Sequence, residues 1–320
     1  ISQNLFPICQ SIESFDTNEL EIITDGSQSN GAFMYGPISA AKFPKLHRVG
    51  AFAFFESKLQ ILDFQSCLEV AESAFRYCSE LHQVLLPNVQ IIKESAFNGC
   101  NSLRVLVFPR LYTVYSRGFY NCSSLHSFEA PNLESLGAFC FFGSGLTEIS
   151  LPLLLQVEDS CFRNSKLEKV YLPRVERLSS CCFQETQLQQ VVLPNAVEIG
   201  DQAFADSKIV KIFLPKLQKM GNEVFFKSGL KTFFAPRLLL KSENCFSFTN
   251  IQKIQFKSNQ KLQLQNYKFV MKCQFKYQGC RCCGCKEKGQ EFGNTLGIEY
   301  KLAKLLSLMK VRKLLLKVFD

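Results

Sequence analysis

The sequence predicts an α/β repeat solenoid: a curved, right-handed coil of stacked units, with a parallel β-sheet on the concave face and short helical turns opposite. The main observation is one phenylalanine that recurs every 21 or 22 residues. A fixed period of this length is typical of repeat units that stack in a row. The ten copies of this position are Phe54, Phe75, Phe97, Phe119, Phe141, Phe162, Phe183, Phe204, Phe225 and Phe246.

The residues inside one unit predict where its strand lies. Val84 and Leu86 are two positions apart, which is the period of a strand with one buried face. Pro87 ends that strand, because proline has no N–H for the ladder. Ala96 and Phe97 come later in the unit, and we expect them on a short helical turn on the far side. No unit can bury its own apolar edges, so stacking must supply the core.

Two sequence pairs identify the kind of repeat. An Ala-Phe pair is followed three residues later by Cys or Ser, as at Ala96, Phe97 and Cys100. A Leu-Pro pair closes the strand at Leu86-Pro87, Leu151-Pro152, Leu172-Pro173, Leu193-Pro194 and Leu214-Pro215. The repeat resembles the BspA-like leucine-rich repeat over roughly residues 40 to 256. The resemblance implies a curved parallel sheet in a protein that binds other proteins, often a cell-surface or secreted protein of bacteria or anaerobic protists.

The chain divides into three parts. Residues 1–39 hold degenerate repeats that we expect to form an N-terminal cap. Residues 40–256 form the BspA-like solenoid of about ten units, and residues 257–320 form a basic, Cys-containing extension with a terminal helix. Nearly half of the chain, 47%, is apolar, so a large core is expected. The first residue is Ile, so the lack of a secretory signal is no evidence for a cytosolic protein.

The strand register predicts which residues face a partner. Residues on either side of the buried central one point outward on the concave sheet. Apolar side chains fill the position after it in four successive units, and lysines flank them, a composition that resembles protein interfaces. The alternative is that aromatic and β-branched residues simply suit sheet surfaces. The predicted protein-binding residues are Lys169, Tyr171, Val192, Lys211, Phe213 and Phe234.

Catalytic signatures are not evident in the sequence. The three histidines are His47, His82 and His126, and the last two occupy the same position directly after the repeat Leu. We therefore interpret them as surface repeat positions. No Gly-rich phosphate loop or nucleophile motif is found. The sequence predicts no enzyme, no catalytic residue and no cofactor.

A cysteine cluster lies in the C-terminal extension. Cys280 with Cys283, and Cys282 with Cys285, form overlapping C-x-x-C pairs, which is the local spacing of thiolate metal sites. A second, distant pair is missing, and the two pairs crowd one turn, so we predict no metal here. Zinc binding, reversible acylation beside basic residues and thiols without a specific role stay open as alternatives.

Zinc analysis distinguishes these alternatives. If the cluster holds a metal, purified protein should contain stoichiometric zinc that is lost on replacing Cys280 and Cys283. Protein that stays metal-free after preparation with added zinc, with thiols that titrate freely, would rule the metal site out.

The positive charge of the chain is concentrated in its last part. Residues 252–320 carry 15 Lys and Arg against four Asp and Glu, whereas the full chain has a net charge of +9. The segment from residue 300 to 319 is a strong helix former with an imperfect apolar face. It could pack as a cap on the solenoid or bind an anionic membrane surface or a partner. Nucleic-acid binding is disfavoured, because no nucleic-acid motif accompanies the charge.

Together these patterns predict a non-enzymatic protein-binding protein that acts in cell-surface interaction or adhesion. The alternative is an intracellular scaffold that its basic tail tethers to a membrane surface or a partner. The two hypotheses differ in compartment, with cell surface or secreted favoured by the family resemblance and cytoplasmic as the alternative.

Overall fold

The computed structural model describes residues 14–16, 18–242 and 244–255. The predicted tail features, namely the Cys280–Cys285 cluster and the terminal helix, lie outside these residues. The described chain winds into a β-solenoid of about ten coils, and neighbouring strands pair in parallel. Within this part of the chain no helix is long and apolar enough to cross a membrane.

The first side of the solenoid is the predicted parallel sheet, which we call the major sheet. Each coil contributes one three-residue strand whose central side chain is mostly buried. Counted with Ala40–Lys42 as the first strand, the hydrogen-bonded ladder is interrupted in three places: after the third, the fifth and the eighth strand. These strands are β1 (Ser14–Asp16), β2 (Ala40–Lys42), β4 (Ile61–Asp63), β6 (Gln83–Leu85), β8 (Val105–Val107), β10 (Ser127–Glu129), β12 (Glu148–Ser150), β14 (Lys169–Tyr171), β16 (Gln190–Val192), β18 (Lys211–Phe213), β20 (Thr232–Phe234) and β22 (Lys253–Gln255).

The second side is a parallel sheet of two-residue strands, which we call the minor sheet. The sequence did not predict it, because two residues are too few to show a strand period. It consists of two five-stranded ladders that part between β11 and β13. Its strands are β3 (Arg48–Val49), β5 (Glu69–Val70), β7 (Ile91–Ile92), β9 (Thr113–Val114), β11 (Ser135–Leu136), β13 (Gln156–Val157), β15 (Arg177–Leu178), β17 (Glu198–Ile199), β19 (Lys219–Met220) and β21 (Leu240–Lys241).

The third side consists of six-residue turns, such as residues 72–77, which we call turn arcs. The predicted short helical turns are wrong, because the described residues contain no helix. The N–H of Phe75 donates to the Ala96 carbonyl of the next coil at 2.9 Å, while the N–H of Arg76 donates to Ser73 of its own coil at 3.2 Å. A helix would direct both groups to carbonyls of the same segment. Alternate N–H groups link the coils instead.

Left-handed backbone conformations also prevent a helix in the turn arcs. Ser73 and Tyr77 have φ values of 52° and 62°, two residues before and two after the spine Phe75. The same two positions have positive φ in most of the other coils. Such a conformation costs a non-glycine residue about 1–2 kcal/mol. We infer that the hydrogen bonds between coils offset this cost, since both residues donate their N–H groups to the next coil.

The recurring phenylalanines form a continuous stack in the core, which we call the phenylalanine spine. Within the described residues it runs from Phe33 through the ten predicted positions, one ring per coil. Neighbouring ring centroids lie 4.7 to 5.7 Å apart. Phe97 is fully buried between Phe75 at 5.1 Å and Phe119 at 5.5 Å, with interplanar angles of 14° and 8°. The fixed register of the repeat therefore produces the core.

Cysteines fill two kinds of buried position. Cys140 and its equivalents replace Ala before the spine ring, and the thiols of Cys78 and Cys122 donate to backbone carbonyls of a neighbouring coil at 2.9 and 3.2 Å. Other coils place Ser or Thr there, and the Ser165 hydroxyl donates to the carbonyl of its own spine residue, Phe162, at 2.7 Å. All cysteines in the described coils are free thiols. Their role here is packing and local hydrogen bonding.

We expect Cys78 and Cys122 to resist alkylation at about pH 8 in the folded protein and to react after denaturation. Burial raises the pKa of both thiols to about 12, so very little of the reactive thiolate forms. Among the cysteines of the described coils, Cys181 is only partly buried, so it serves as the internal control that should react before the buried ones. Mass spectrometry of iodoacetamide-treated protein measures each site. Labelling of Cys78 as fast as Cys181 would contradict this core.

The same buried thiols should make the protein less stable at alkaline pH. The ordinary value of 9.0 applies to the unfolded chain, so above that pH the unfolded chain loses protons that the folded protein retains. Their contribution to stability is complete below pH 9.0 and is lost as the pH rises towards 12. The urea concentration at the unfolding midpoint should therefore be lower at about pH 10 than at about pH 8.

Candidate functional site

The outer face of the major sheet carries the predicted binding residues at the ends of four consecutive strands. We call Tyr171, Val192, Phe213 and Phe234 the aromatic stripe; they are the last residues of β14, β16, β18 and β20. The residue before each points inward: Ile212, for example, is 4% exposed. Because side chains alternate between the two faces of a strand, the stripe follows directly from this inward packing.

The two phenylalanines of the stripe form one stacked pair. Phe213 and Phe234 are register partners, their ring centroids lie 4.6 Å apart, and the rings are inclined by 21°. Phe213 remains 39% exposed, while Phe234 is half-buried. A stacked pair on the outer face of a sheet presents a broad, rigid apolar surface.

The stripe is not one uninterrupted ladder. Tyr171 and Val192 are register partners on β14 and β16, as Phe213 and Phe234 are on β18 and β20. Strands β16 and β18 lie side by side, but no ladder joins them. The structure therefore brings the four residues together as two pairs on neighbouring strands.

Two exposed lysines flank the stripe. Lys169 and Lys211 are the first residues of β14 and β18, so each lies two positions from a stripe residue on the same face. In the described coils, neither forms an ion pair. Their charges are therefore available to carboxylates on a partner that covers the stripe.

A second apolar patch on the same sheet was not selected from the sequence. Ile61, Leu85, Val105 and Val107 lie on β4, β6 and β8 and are 37% to 49% exposed. The same outward register that predicts the stripe would have found them. We call these four residues the early patch. It ends at Glu129, the register partner of Val107, where burial raises the pKa of the carboxyl group.

The histidines lie where a surface repeat position predicts. All three are exposed, and the Nδ1 atoms of His82 and His126 lie 3.1 and 3.3 Å from the backbone carbonyls of Glu80 and Ser124. The matching local contacts reflect the shared repeat position. In the part of the chain that the structure describes, no three His, Cys, Asp or Glu side chains gather as metal ligands.

Comparison with known proteins assigns the repeat. The model of the BspA type leucine rich repeat region matches residues 1–115, 112–231 and 156–276, in six copies. No curated protein matches the chain. A leucine-rich repeat protein from Bacteroides ovatus is similar in structure, with a TM-score of 0.56 and 19% identity over 67% of this chain. The match spans 59% of that protein's own length.

Two further solved structures are similar in part. The pneumococcal vaccine antigen PcpA has 18% identity and a TM-score of 0.46, covering 69% of this chain and 63% of its own. A leucine-rich repeat protein from T. pallidum has 22% identity and a TM-score of 0.41, covering 52% of this chain and 76% of its own. Stacked repeats of this kind present extended surfaces for interaction with other proteins. The family model covers most of this chain, and the chain therefore belongs to the BspA type leucine-rich repeat family.

Proposed function

We propose that this chain is a non-enzymatic protein that binds a protein partner on the aromatic stripe and acts in interaction or adhesion at a cell surface. One observation carries the proposal: Phe213 and Phe234 stack at 4.6 Å on the outer face of the major sheet, while Ile212 beneath them is buried. Exposed apolar residues that are grouped in this way are typical of interaction sites.

The composition of the stripe supports a protein partner. Aromatic side chains are enriched among the residues that dominate binding energy, and polar residues around them exclude water. The flanking Lys169 and Lys211 favour a partner with an apolar centre and acidic residues around it. The phenylalanine rings are held by their neighbours on the sheet, so little conformational entropy is lost when a partner covers them.

The decisive experiment compares the binding of the wild type and the Phe213→Ser/Phe234→Ser variant to the same partner. We expect the variant to fold normally and to lose most of its affinity. Unchanged affinity would move the site to the early patch, the turn arcs or the tail.

The cell-surface role rests on the family resemblance and needs its own test. Intact cells that produce the protein should lose it on treatment with an external protease. Protection until the cells are lysed would instead favour an intracellular scaffold.

A further inference from the structure

A polar groove lies on the turn arcs, away from the outer face of the major sheet. It has a volume of about 670 Å³ and crosses three successive turn arcs, residues 72–77, 94–99 and 116–121. Nothing in the repeat requires such a groove, since the same arcs pack against each other along the whole solenoid. Its cause must therefore lie in the side chains that these three coils contribute.

One of these coils has a glycine at a repeat position where a later coil has a glutamate. Arg76 and Arg163 both follow a spine phenylalanine directly. The guanidinium of Arg163 donates to Glu185 of the next coil at 3.0 Å, but the residue that corresponds to Glu185 in the coil after Arg76 is Gly99. A Cβ at Gly99 would lie 2.4 Å from the ring of Tyr77. The missing side chain thus makes room for the tyrosine and leaves Arg76 without the equivalent carboxylate.

Arg76 is held ready for an anion. Its guanidinium lies 4.8 Å from the centroid of the Tyr77 ring, and its Nη2 donates to the tyrosine hydroxyl at 3.1 Å. Its Nε is buried without an acceptor, as is the Nε of Arg163, but unlike Arg163 it pairs with no carboxylate among the described residues. A planar guanidinium of this kind matches a carboxylate through two parallel hydrogen bonds.

The rest of the lining favours a ligand rich in hydroxyl groups. Arg117 and Glu94 of neighbouring coils pair at 3.3 Å, so the charges that remain for a ligand are the Arg76 guanidinium and the Glu72 carboxylate. The other groups are the Glu72 carboxylate, amides, hydroxyls and the half-buried ring of Tyr120, and no aliphatic side chain lines the groove. A peptide would need an apolar subsite for its side chains, whereas sugar hydroxyls pair with amides and carboxylates and a sugar ring packs on tyrosine.

We propose that this groove binds a saccharide that carries a carboxylate. Arg76 pairs with the carboxylate, the tyrosine rings contact the sugar face, and Asn98 and Asn101 hydrogen-bond its hydroxyls. This site is independent of the aromatic stripe, which lies on another side of the coil. The two sites can therefore be tested and fail separately.

Calorimetry on the full chain with 3′-sialyllactose, a glucuronate-containing disaccharide and neutral lactose tests the site. We expect at least one of the two acidic sugars to bind, and lactose to bind about tenfold more weakly, because it lacks the group that pairs with Arg76. Arg76→Gln should weaken the acidic sugar by about tenfold or more. The matched control Arg163→Gln changes the same repeat position outside the groove and should bind as the wild type does.

Three results would overturn the proposal. The first is no binding of either acidic sugar, and the second is equal binding of lactose. The third is equal loss in the Arg76 and Arg163 variants, which would indicate a general effect on the arcs. Arg76→Lys keeps the charge but loses the planar pairing, so it should also bind the acidic sugar more weakly. This variant replaces Arg76→Gln in the test if Arg76→Gln unfolds. Binding of a free-carboxyl dipeptide in preference to the sugars would assign the groove to peptides and reject the saccharide.

Discussion

Phe97→Ala should lower the free energy of unfolding by about 3–5 kcal/mol. The ring is fully buried and stacks on both neighbouring spine rings, so its loss leaves a cavity in the middle of the core. The packing on either side is continuous from coil to coil, which limits how far the site can collapse. Chemical denaturation monitored by circular dichroism measures the change.

Phe248→Ala is the matched control for this prediction. Phe248 lies on a turn arc and is 76% exposed, so its loss should change stability by about 0.5 kcal/mol or less. Phe246→Ala should cost less than Phe97→Ala, because in the described chain Phe246 has a spine neighbour on one side only. A cost below about 1 kcal/mol for Phe97→Ala would contradict the phenylalanine spine as the main core.

The Phe213→Ser/Phe234→Ser variant should lose affinity for the protein partner by roughly thirtyfold or more per residue, about 2 kcal/mol each. The stacked pair forms an apolar surface on this part of the sheet, and serine removes it without changing the inward residues. Stability should change little, since Phe213 is 39% exposed. Titration of the partner by calorimetry, with thermal unfolding of both proteins, measures the two effects.

Two controls make this result specific. Leu85→Ser/Val107→Ser removes apolar surface from the early patch of the same sheet and should leave the affinity unchanged. Asp206→Ser changes a polar position on a turn arc and should also have no effect. Loss of binding in the early-patch variant, with normal binding by the Phe213 and Phe234 variant, would contradict the proposal and place the binding site on the early patch.

The period of the sequence was enough to predict the solenoid and its core. The spacing of the phenylalanines sets one ring per coil, and Val84 and its equivalents identify the strand that each coil adds. The prediction is possible because every unit repeats the same inward positions. The pattern along the sequence therefore indicates which residues stack on each other in the core. Buried cysteines could be predicted in the same way, since they alternate with Ala and Ser at fixed positions.

The third side of the coil could not be predicted from the sequence. Ala96 and Phe97 are compatible with a short helix, but the N–H of Phe97 donates to Gly118 of the next coil and not within its own segment. That bond joins residues 21 positions apart, and no local propensity encodes it. The positive φ values at Ser95 and Arg117 likewise accompany hydrogen bonds that their N–H groups donate to the next coil.

The sequence by itself determined which residues face outward, because side chains alternate along a strand whose inward residue is known. Only the tertiary structure decided how those residues group. It stacks Phe213 on Phe234, parts them from Val192 by a break in the ladder, and exposes the early patch. It also places the Tyr77 ring against Gly99, beside the groove that Arg76 lines. These features depend on contacts between coils, which a single repeat unit cannot specify.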